Sequence, residues 1–190
     1  MDDETLVQEE DSAPSEDIQE AIQSIKESYE NGEDLTDNQL DLIADISIDI
    51  VRSILRFFDE HNCDIDEYEG DDGELILDIN GGDLAVLIGR HGRVLDSVQS
   101  VVSSMLSKKL GFHYPVVVDI ESYKNRRRQK IQSLAKSSAE RAKKQGRVRM
   151  KPMSAYERRL VHLALINDPD VTTHSEGTEP ERFVVITAVK

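Results

Sequence analysis

Apolar residues recur every three to four positions in two long segments of the chain. The first segment begins near residue 36 and carries Leu40, Ile43, Ala44, Val51, Ile54, Leu55 and Phe58. The second carries Val94, Leu95, Val98, Val101, Val102, Met105 and Leu106. This spacing predicts two helices that each bury one face against a core. Thr36 with Gln39 three residues later forms the N-terminal cap expected of the first helix, and Gly111 is placed to end the second.

Shorter apolar segments predict strands around these helices. Residues 64–69 and 74–79 are joined by glycine and aspartate at 70–73, which is the composition of a hairpin turn. A third strand is predicted over residues 115–120, and residues 84–88 form a short apolar segment before the second helix. The order helix, strand, strand, helix, helix, strand therefore predicts an α+β domain over residues 37–121.

The last third of the chain predicts a second, smaller α/β domain over residues 122–190. A polar, basic helix is expected from Ser122 to Gln145, ended by Gly146 and followed by a strand over 147–151. Ser154 and Glu157 have the spacing of a capping box that opens a helix reaching Ile166. We predict that its apolar face consists of Tyr156, Leu160, Leu163 and Ala164, with Arg158 and His162 projecting from the other side. Two strands, 171–177 and 180–186, complete the domain.

The first 36 residues are acidic and poor in apolar side chains. They carry 13 acidic residues against the single base Lys26. This composition predicts a disordered tail over residues 1–36, within which Ile18, Ala21, Ile22, Ile25 and Tyr29 form at most a marginal amphipathic helix. Such a tail either keeps the protein in solution or competes with nucleic acid for the basic helix.

Charge is divided unevenly along the chain. The formal net charge is −15, but residues 115–190 carry 16 basic residues against nine acidic ones. The basic positions cluster at Arg126, Arg127, Arg128, Lys130, Lys136, Arg141, Lys143, Lys144, Arg147, Arg149 and Lys151. A cluster of this kind is either a phosphate-binding surface or simply a solvated helix face.

Several classes of protein are disfavoured by what the sequence lacks. The single cysteine, Cys63, excludes an internal disulfide and is compatible with a reducing cytoplasm. No apolar stretch approaches the roughly 20 residues of a membrane span, and the acidic start has no basic signal-peptide region. We find no metal-ligand spacing, phosphate-binding loop or nucleophile elbow. We therefore expect a cytoplasmic protein that is not an enzyme, with no metal, cofactor or small-molecule substrate.

Gly89-Arg90-His91-Gly92 is the most informative motif in the chain. It lies between the short apolar segment and the long amphipathic helix. Glycines at both ends of such a turn let a nucleic-acid backbone approach the main chain, while Arg90 and His91 supply charge and hydrogen-bond donors. Arg93 is a secondary candidate. The alternative is an ordinary connection that uses glycine only for its backbone freedom.

Arg158 and His162 form a second candidate site. Four residues apart on one helix, they would lie side by side and offer a guanidinium fork and an imidazole ring to phosphate or to a base. Arginine and histidine at this spacing are also common on helix surfaces without any role.

These motifs resemble those of two nucleic-acid-binding domains. The Gly-x-x-Gly turn in its order of elements resembles a type II KH domain, whose loop clamps about four nucleotides. Residues 147–189 resemble an R-three-H domain, which is named for its Arg-x-x-x-His pair. The two domains and the basic helix between them occur in the order of the bacterial Jag, or KhpB, family. Members of that family often begin with a small Jag-N domain, and here an acidic segment stands in its place.

The resemblance implies RNA binding, an RNA-chaperone or regulatory role, a small KH-only partner protein, and an influence on cell-wall synthesis and cell shape. It also implies that Ser175, Gly177 and Arg182 line the site beside Arg158 and His162. Single-stranded DNA binding, and a protein adaptor that uses the KH surface, stay open as alternatives.

Overall fold

The computed structural model describes residues 16–70 and 73–189. Its first part contains three long helices and a three-stranded sheet, and the last part of the chain forms a second three-stranded sheet with two helices. In chain order the elements are α1 (Glu16–Glu30), α2 (Asp37–Arg56), β1 (Asp64–Glu69), β2 (Leu75–Asn80), α3 (Ala85–Ile88), α4 (Arg93–Leu110), β3 (Val116–Ile120), α5 (Tyr123–Gln145), β4 (Arg147–Arg149), α6 (Ala155–Leu165), β5 (Val171–Glu176) and β6 (Phe183–Ala188). The predicted α+β class, with the element order αββααβ in the first domain and a small α/β domain after it, is confirmed.

The first sheet has the order β1-β2-β3. β1 pairs with β2 in antiparallel fashion through the predicted hairpin, whereas β2 and β3 are parallel because α3 and α4 lie between them in the chain. Leu77 and Val118 are fully buried neighbours on the face that meets the helices. The cap at Thr36 forms as predicted, since its backbone N–H donates to Oε1 of Gln39 at 2.9 Å.

Not every predicted core position of α4 is buried. Leu95, Val102 and Leu106 are at most 1% exposed, but Val101 is 48% exposed and Met105 is 38% exposed. These two side chains lie beside the buried stripe of Leu95, Val102 and Leu106 and are exposed. Gly111 ends the helix in the left-handed conformation, as predicted.

The prediction of a disordered tail over residues 1–36 is wrong for residues 16–30. These residues form α1, whose Ile25 is 1% exposed in the core of the first domain. The Tyr29 ring lies 4.8 Å from the ring of Phe112 and 5.8 Å from that of Tyr114. Burial of one isoleucine and one aromatic cluster thus orders a segment whose acidic composition suggested disorder. The part of the predicted tail before Glu16 lies outside the described residues.

Two carboxylates of the first sheet hold the start of α5. The backbone N–H and the hydroxyl of Ser122 donate to the Asp78 carboxylate at 3.0–3.1 Å, and the backbone N–H of Lys124 donates to Asp119 at 3.1 Å. They satisfy N–H groups that the first turn of a helix leaves unpaired. Burial raises the pKa of Asp119 despite these hydrogen bonds. The direction of α5 is therefore fixed by the first sheet.

The second sheet is antiparallel in the order β4-β6-β5, and α5 and α6 pack against it. α5 faces this sheet with Ala135, Ala139 and Ala142, each at most 1% exposed, so the helix backbone lies close to its neighbours. β4 ends at Arg149, two residues earlier than predicted, because Pro152 cannot donate to a strand ladder.

The predicted apolar face of α6 is wrong for Tyr156 and Leu163, which are 58% and 52% exposed, but Leu160 and Ala164 pack against the core. The buried residues of the helix are Glu157, Arg158, Val161 and Leu165. The face that packs against α5 and the sheet is therefore rotated from the predicted one and includes two charged residues. Only one of the two hydrogen bonds of the predicted capping box forms. Ser154 Oγ accepts from the Glu157 N–H at 3.3 Å, but the Glu157 carboxylate turns to α5 instead of returning to the cap.

Candidate nucleic-acid interface

The Gly-x-x-Gly turn has a backbone that its glycines make possible. Gly89 and Gly92 have φ of 67° and 81°, and His91 between them has φ of 61°. A Cβ atom at Gly89 would lie 2.3 Å from Val94 Cγ2, and one at Gly92 would lie 2.9 Å from Tyr123 Cε1. Both glycines are thus required by internal packing and by φ. Arg90 at the tip is exposed.

His91 is held from behind by a residue of α5. Its Nδ1 lies 2.6 Å from Nη2 of Arg127. Because a guanidinium only donates, Nδ1 accepts and the ring proton is on Nε2. Burial, and then the charge of Arg127, lower the pKa of His91. The turn therefore presents a neutral imidazole whose Nε2–H is a donor.

Arg127 joins this turn to the second domain. Its Nε donates to Oε1 of Glu157 at 2.6 Å, and Glu157 is 4% exposed. Oε2 of Glu157 lies 3.8 Å from His91 Nδ1 and has no hydrogen-bond partner among the described residues. We call His91, Arg127 and Glu157 the interdomain clamp. Sequence reasoning missed it, since Arg127 stood in a basic cluster and Glu157 was assigned to a cap.

Arg158 does not project outward as predicted. It is 7% exposed, and its Nη1 donates to the Met153 carbonyl at 3.0 Å and to Oε1 of Glu179 at 2.6 Å. The guanidinium is thus hydrogen-bonded within the second domain, to Met153 before α6 and to Glu179 in the loop that precedes β6. Its neighbour Arg159 is exposed.

His162 is half-buried and engaged at both ring nitrogens. Nδ1 lies 2.7 Å from the Thr173 hydroxyl, and Nε2 lies 3.1 Å from the Ser175 hydroxyl. Burial comes first among the causes that lower the pKa of His162, and the charges of Arg158 and His174 act in the same direction. The structure thus places the predicted residue Ser175 in direct contact with His162.

The segment 177–182 connects the two predicted sites. Gly177 has φ of 86°, and a Cβ atom there would lie 3.3 Å from the Glu181 carbonyl. Glu179 holds Arg158, and the Pro180 carbonyl accepts from Nη2 of Arg93 at 3.3 Å. Arg182 is exposed. Residues from both predicted sites therefore lie against one loop.

The basic helix α5 is an exposed charged surface along much of its length. Its exposed basic residues are Arg126, Arg128, Lys130, Lys136, Arg141 and Lys144. Lys143 differs from these, because it forms ion pairs with Glu140, Asp168 and Asp170 at 3.0–3.4 Å. Over residues 16–70 and 73–189, no helix has the length and apolar character needed to cross a membrane.

Two domain families match the chain in the positions that the fold suggests. Residues 46–120 match the KH domain of KhpA and KhpB, and residues 129–188 match the R-three-H domain. The first match ends at β3, and the second begins within α5.

Named relatives match more than half of the chain. The chain is 39% identical over 135 residues to the RNA-binding protein KhpB of Clostridium symbiosum, across 69% of this chain and 61% of that protein. It is 37% identical over 102 residues to the RNA-binding protein KhpB of Lactiplantibacillus plantarum, across 53% of this chain and 32% of that protein. The chain thus spans between about a third and three-fifths of these relatives' lengths. It belongs to the KhpB, or Jag, family, in which a KH domain is followed by an R-three-H domain.

Proposed function

We propose that this chain binds single-stranded RNA on a composite surface formed by the Gly-x-x-Gly turn, α5 and the loop 177–182. The observation that carries the proposal is that the turn contacts α5 through His91–Arg127, while Arg93, the residue after the turn, contacts the loop through Pro180. These contacts bring basic residues of two domains next to each other. The names of the relatives support RNA as the ligand.

The roles of individual residues follow from their exposure. Arg90 and Arg93 contact phosphate or sugar, and the Nε2–H of His91 donates to the same strand. Arg182 and the exposed bases of α5 add charge, which supplies affinity and steering but no sequence readout. Arg158 acts by holding the loop 177–182, and His162 by orienting the hydroxyls of Thr173 and Ser175.

A titration of matched single-stranded RNA and DNA oligonucleotides at several salt concentrations tests the proposal. With about four to six phosphate contacts, the slope of log affinity against log salt is expected to be about −3 to −4. Arg90→Asp and Arg182→Asp should each weaken binding by roughly tenfold and make the slope shallower. Lys109→Asp, an equal charge change at an exposed position near the end of α4, is the control.

Three results would contradict the proposal. Equal loss of affinity in Lys109→Asp and Arg90→Asp would show that binding depends only on net charge. No binding of either nucleic acid would favour the protein-adaptor alternative. A clear preference for DNA would show that the surface makes no favourable contact with the 2′-hydroxyl, which only RNA offers, and would assign it to single-stranded DNA.

The finer part of the proposal rests on the family resemblance. We propose that the protein acts in the cytoplasm as an RNA chaperone or post-transcriptional regulator, together with a small KH-only partner, and that it influences cell-wall synthesis and cell shape. Acceleration of the annealing of two complementary RNA strands by the purified chain is the direct test of chaperone activity. A chain that binds RNA without changing the annealing rate would exclude that role.

A further inference from the structure

A cleft lies between the two domains beside the Gly-x-x-Gly turn. Its volume is about 510 Å³, within the range of roughly 300–1,000 Å³ typical of small-molecule sites. We call it the interdomain cleft. Its walls are formed by the turn, the first sheet, the first part of α5 and α6. The residues on which the argument depends are Tyr68, His91, Arg128, Tyr156 and Leu160.

The charge of the interdomain cleft argues against a phosphate group at its centre. The basic side chains Lys124, Arg127 and Arg128 are opposed by the four carboxylates of Glu74, Asp96, Asp119 and Glu157. A polyanion gains little from such a lining. A planar, uncharged ring with donors and acceptors at its edge suits it better.

The walls of the cleft have the chemistry that stacks on such a ring. Tyr156 of α6 is 58% exposed and Tyr68 of β1 is 47% exposed, although both lie on the cleft. Apolar side chains of both domains, including Ile76, Val117 and Leu160, complete the lining. Base stacking on aromatic side chains beside a basic groove is the usual way in which proteins hold single strands.

The cleft is continuous with the turn. His91 and Gly92 belong both to the turn and to the cleft lining, and Arg128 lies at the same opening on α5. A strand held by Arg90 at the tip of the turn therefore has a path into the cleft, with its phosphates outside on the basic residues.

From this geometry we propose that the interdomain cleft binds one nucleobase of the single strand, with Tyr156 as the stacking platform. The proposal rests on the proposed RNA-binding function and adds a site that neither domain contains alone. It also accounts for the exposed tyrosine on α6, whose neighbours Val161 and Leu165 are buried.

A single tryptophan makes the proposal directly measurable, because the chain contains no Trp. In Tyr156→Trp, binding of a single-stranded RNA of about 12 nucleotides is expected to quench the indole fluorescence. A strand with one abasic position, moved stepwise along the sequence, should lose the quenching at one register. Leu163→Trp, on the same helix and 52% exposed but not on the cleft, should not be quenched.

Affinity gives the second measurement. Tyr156→Ala should weaken RNA binding by roughly 5- to 150-fold, whereas Tyr156→Phe, which keeps the ring, should stay within about twofold. Unchanged thermal unfolding confirms that the exposed substitution leaves the fold intact. If the wild-type chain binds RNA, but Tyr156→Ala binds equally well and Tyr156→Trp is not quenched, the cleft proposal is wrong. Failure of the wild-type chain to bind RNA contradicts the proposed function itself.

Discussion

Arg158 shows how burial changes the meaning of a motif residue. Its guanidinium donates to the Met153 carbonyl and to Glu179, which anchors the loop 177–182 to α6. In the same loop, the Pro180 carbonyl accepts a hydrogen bond from Arg93 of the first domain. Arg158 therefore holds the loop that also contacts Arg93, and under the proposed function its replacement is expected to affect binding and stability together.

Arg158→Ala is expected to lower the free energy of unfolding by about 2 to 3 kcal/mol. The reason is that the buried Met153 carbonyl loses its donor and the packed side chain leaves a void. Arg159→Ala, at the adjacent exposed position, is the control and should change stability by less than about 0.5 kcal/mol. Urea denaturation of the full chain gives both values. Equal effects would show that Arg158 is not held as the structure has it.

The lowered pKa of His162 predicts a pH dependence of stability. The unfolded chain binds a proton at this ring near pH 6.5, whereas the folded protein binds it only at lower pH. Between these values the unfolded state holds more protons, so stability should fall as the pH drops from about 7.5 to 5.5. In His162→Gln this fall should be smaller than in the wild type. An unaltered pH profile in His162→Gln would contradict the prediction.

At the scale of elements, α1 and α5 show how a polar segment is ordered by a few contacts. α1 is anchored in the first domain by Ile25 and by the ring contacts of Tyr29. α5 is anchored at its start by Asp78 and Asp119 and along its length by an alanine stripe. Both helices are otherwise exposed and charged, so each depends on its narrow apolar face.

Ile25→Ala is expected to destabilise the first domain by about 2 to 5 kcal/mol, the usual cost of removing a fully buried isoleucine side chain. Ile18→Ala on the same helix removes a side chain that is 40% exposed and should cost less than about 1 kcal/mol. Thermal or urea unfolding compares the two variants. A small effect of Ile25→Ala would mean that α1 is not part of the folded domain.

For the whole molecule, the interdomain clamp is the contact through which the proposed composite surface would act as a unit. His91 belongs to the turn, Arg127 to α5 and Glu157 to α6, and their contacts at 2.6 Å connect all three. Two binding modules held in a fixed orientation bind a long strand more tightly than either module alone, because the second contact is intramolecular.

Glu157→Gln tests this connection, because simple electrostatics predicts the opposite result. Removing a negative charge beside a nucleic-acid surface should strengthen binding, yet we expect the loss of the charged pair with Arg127 to weaken binding of a long strand by roughly tenfold. Binding to a strand that reaches only one domain should change little. Glu140→Gln on α5, where the carboxylate is 66% exposed, is the control. Tighter binding of the long strand by Glu157→Gln would contradict a coupling role.

Apart from α1, which was predicted to be disordered, the amino-acid sequence by itself indicated the elements, their order and the family. Helix ends depend on contacts between residues a few positions apart, so they can be predicted without knowledge of the fold. Examples are the cap of Thr36 with Gln39 and the helix ends at Gly111 and Gly146. The same holds for the Gly-x-x-Gly turn, whose left-handed backbone depends on its own residues. The binding roles of Arg90, His91 and Arg93 stay predictions until nucleic-acid titrations test them.

Only the tertiary structure decided which side chains of these elements are free to bind. The packed face of α6 includes Glu157 and Arg158, so the apolar side chains of Tyr156 and Leu163 are left exposed although Leu160 and Ala164 pack against the core. Arg127 meets Glu157 across 30 positions of the chain and His91 across 36. Ile25 likewise becomes a core residue only against another element. The spacing of apolar residues along the chain determines where a helix forms. Which face of that helix becomes buried depends on residues that are distant in sequence. That burial separates the residues that hold the structure together, such as Arg127 and Arg158, from the exposed residues that are available for binding.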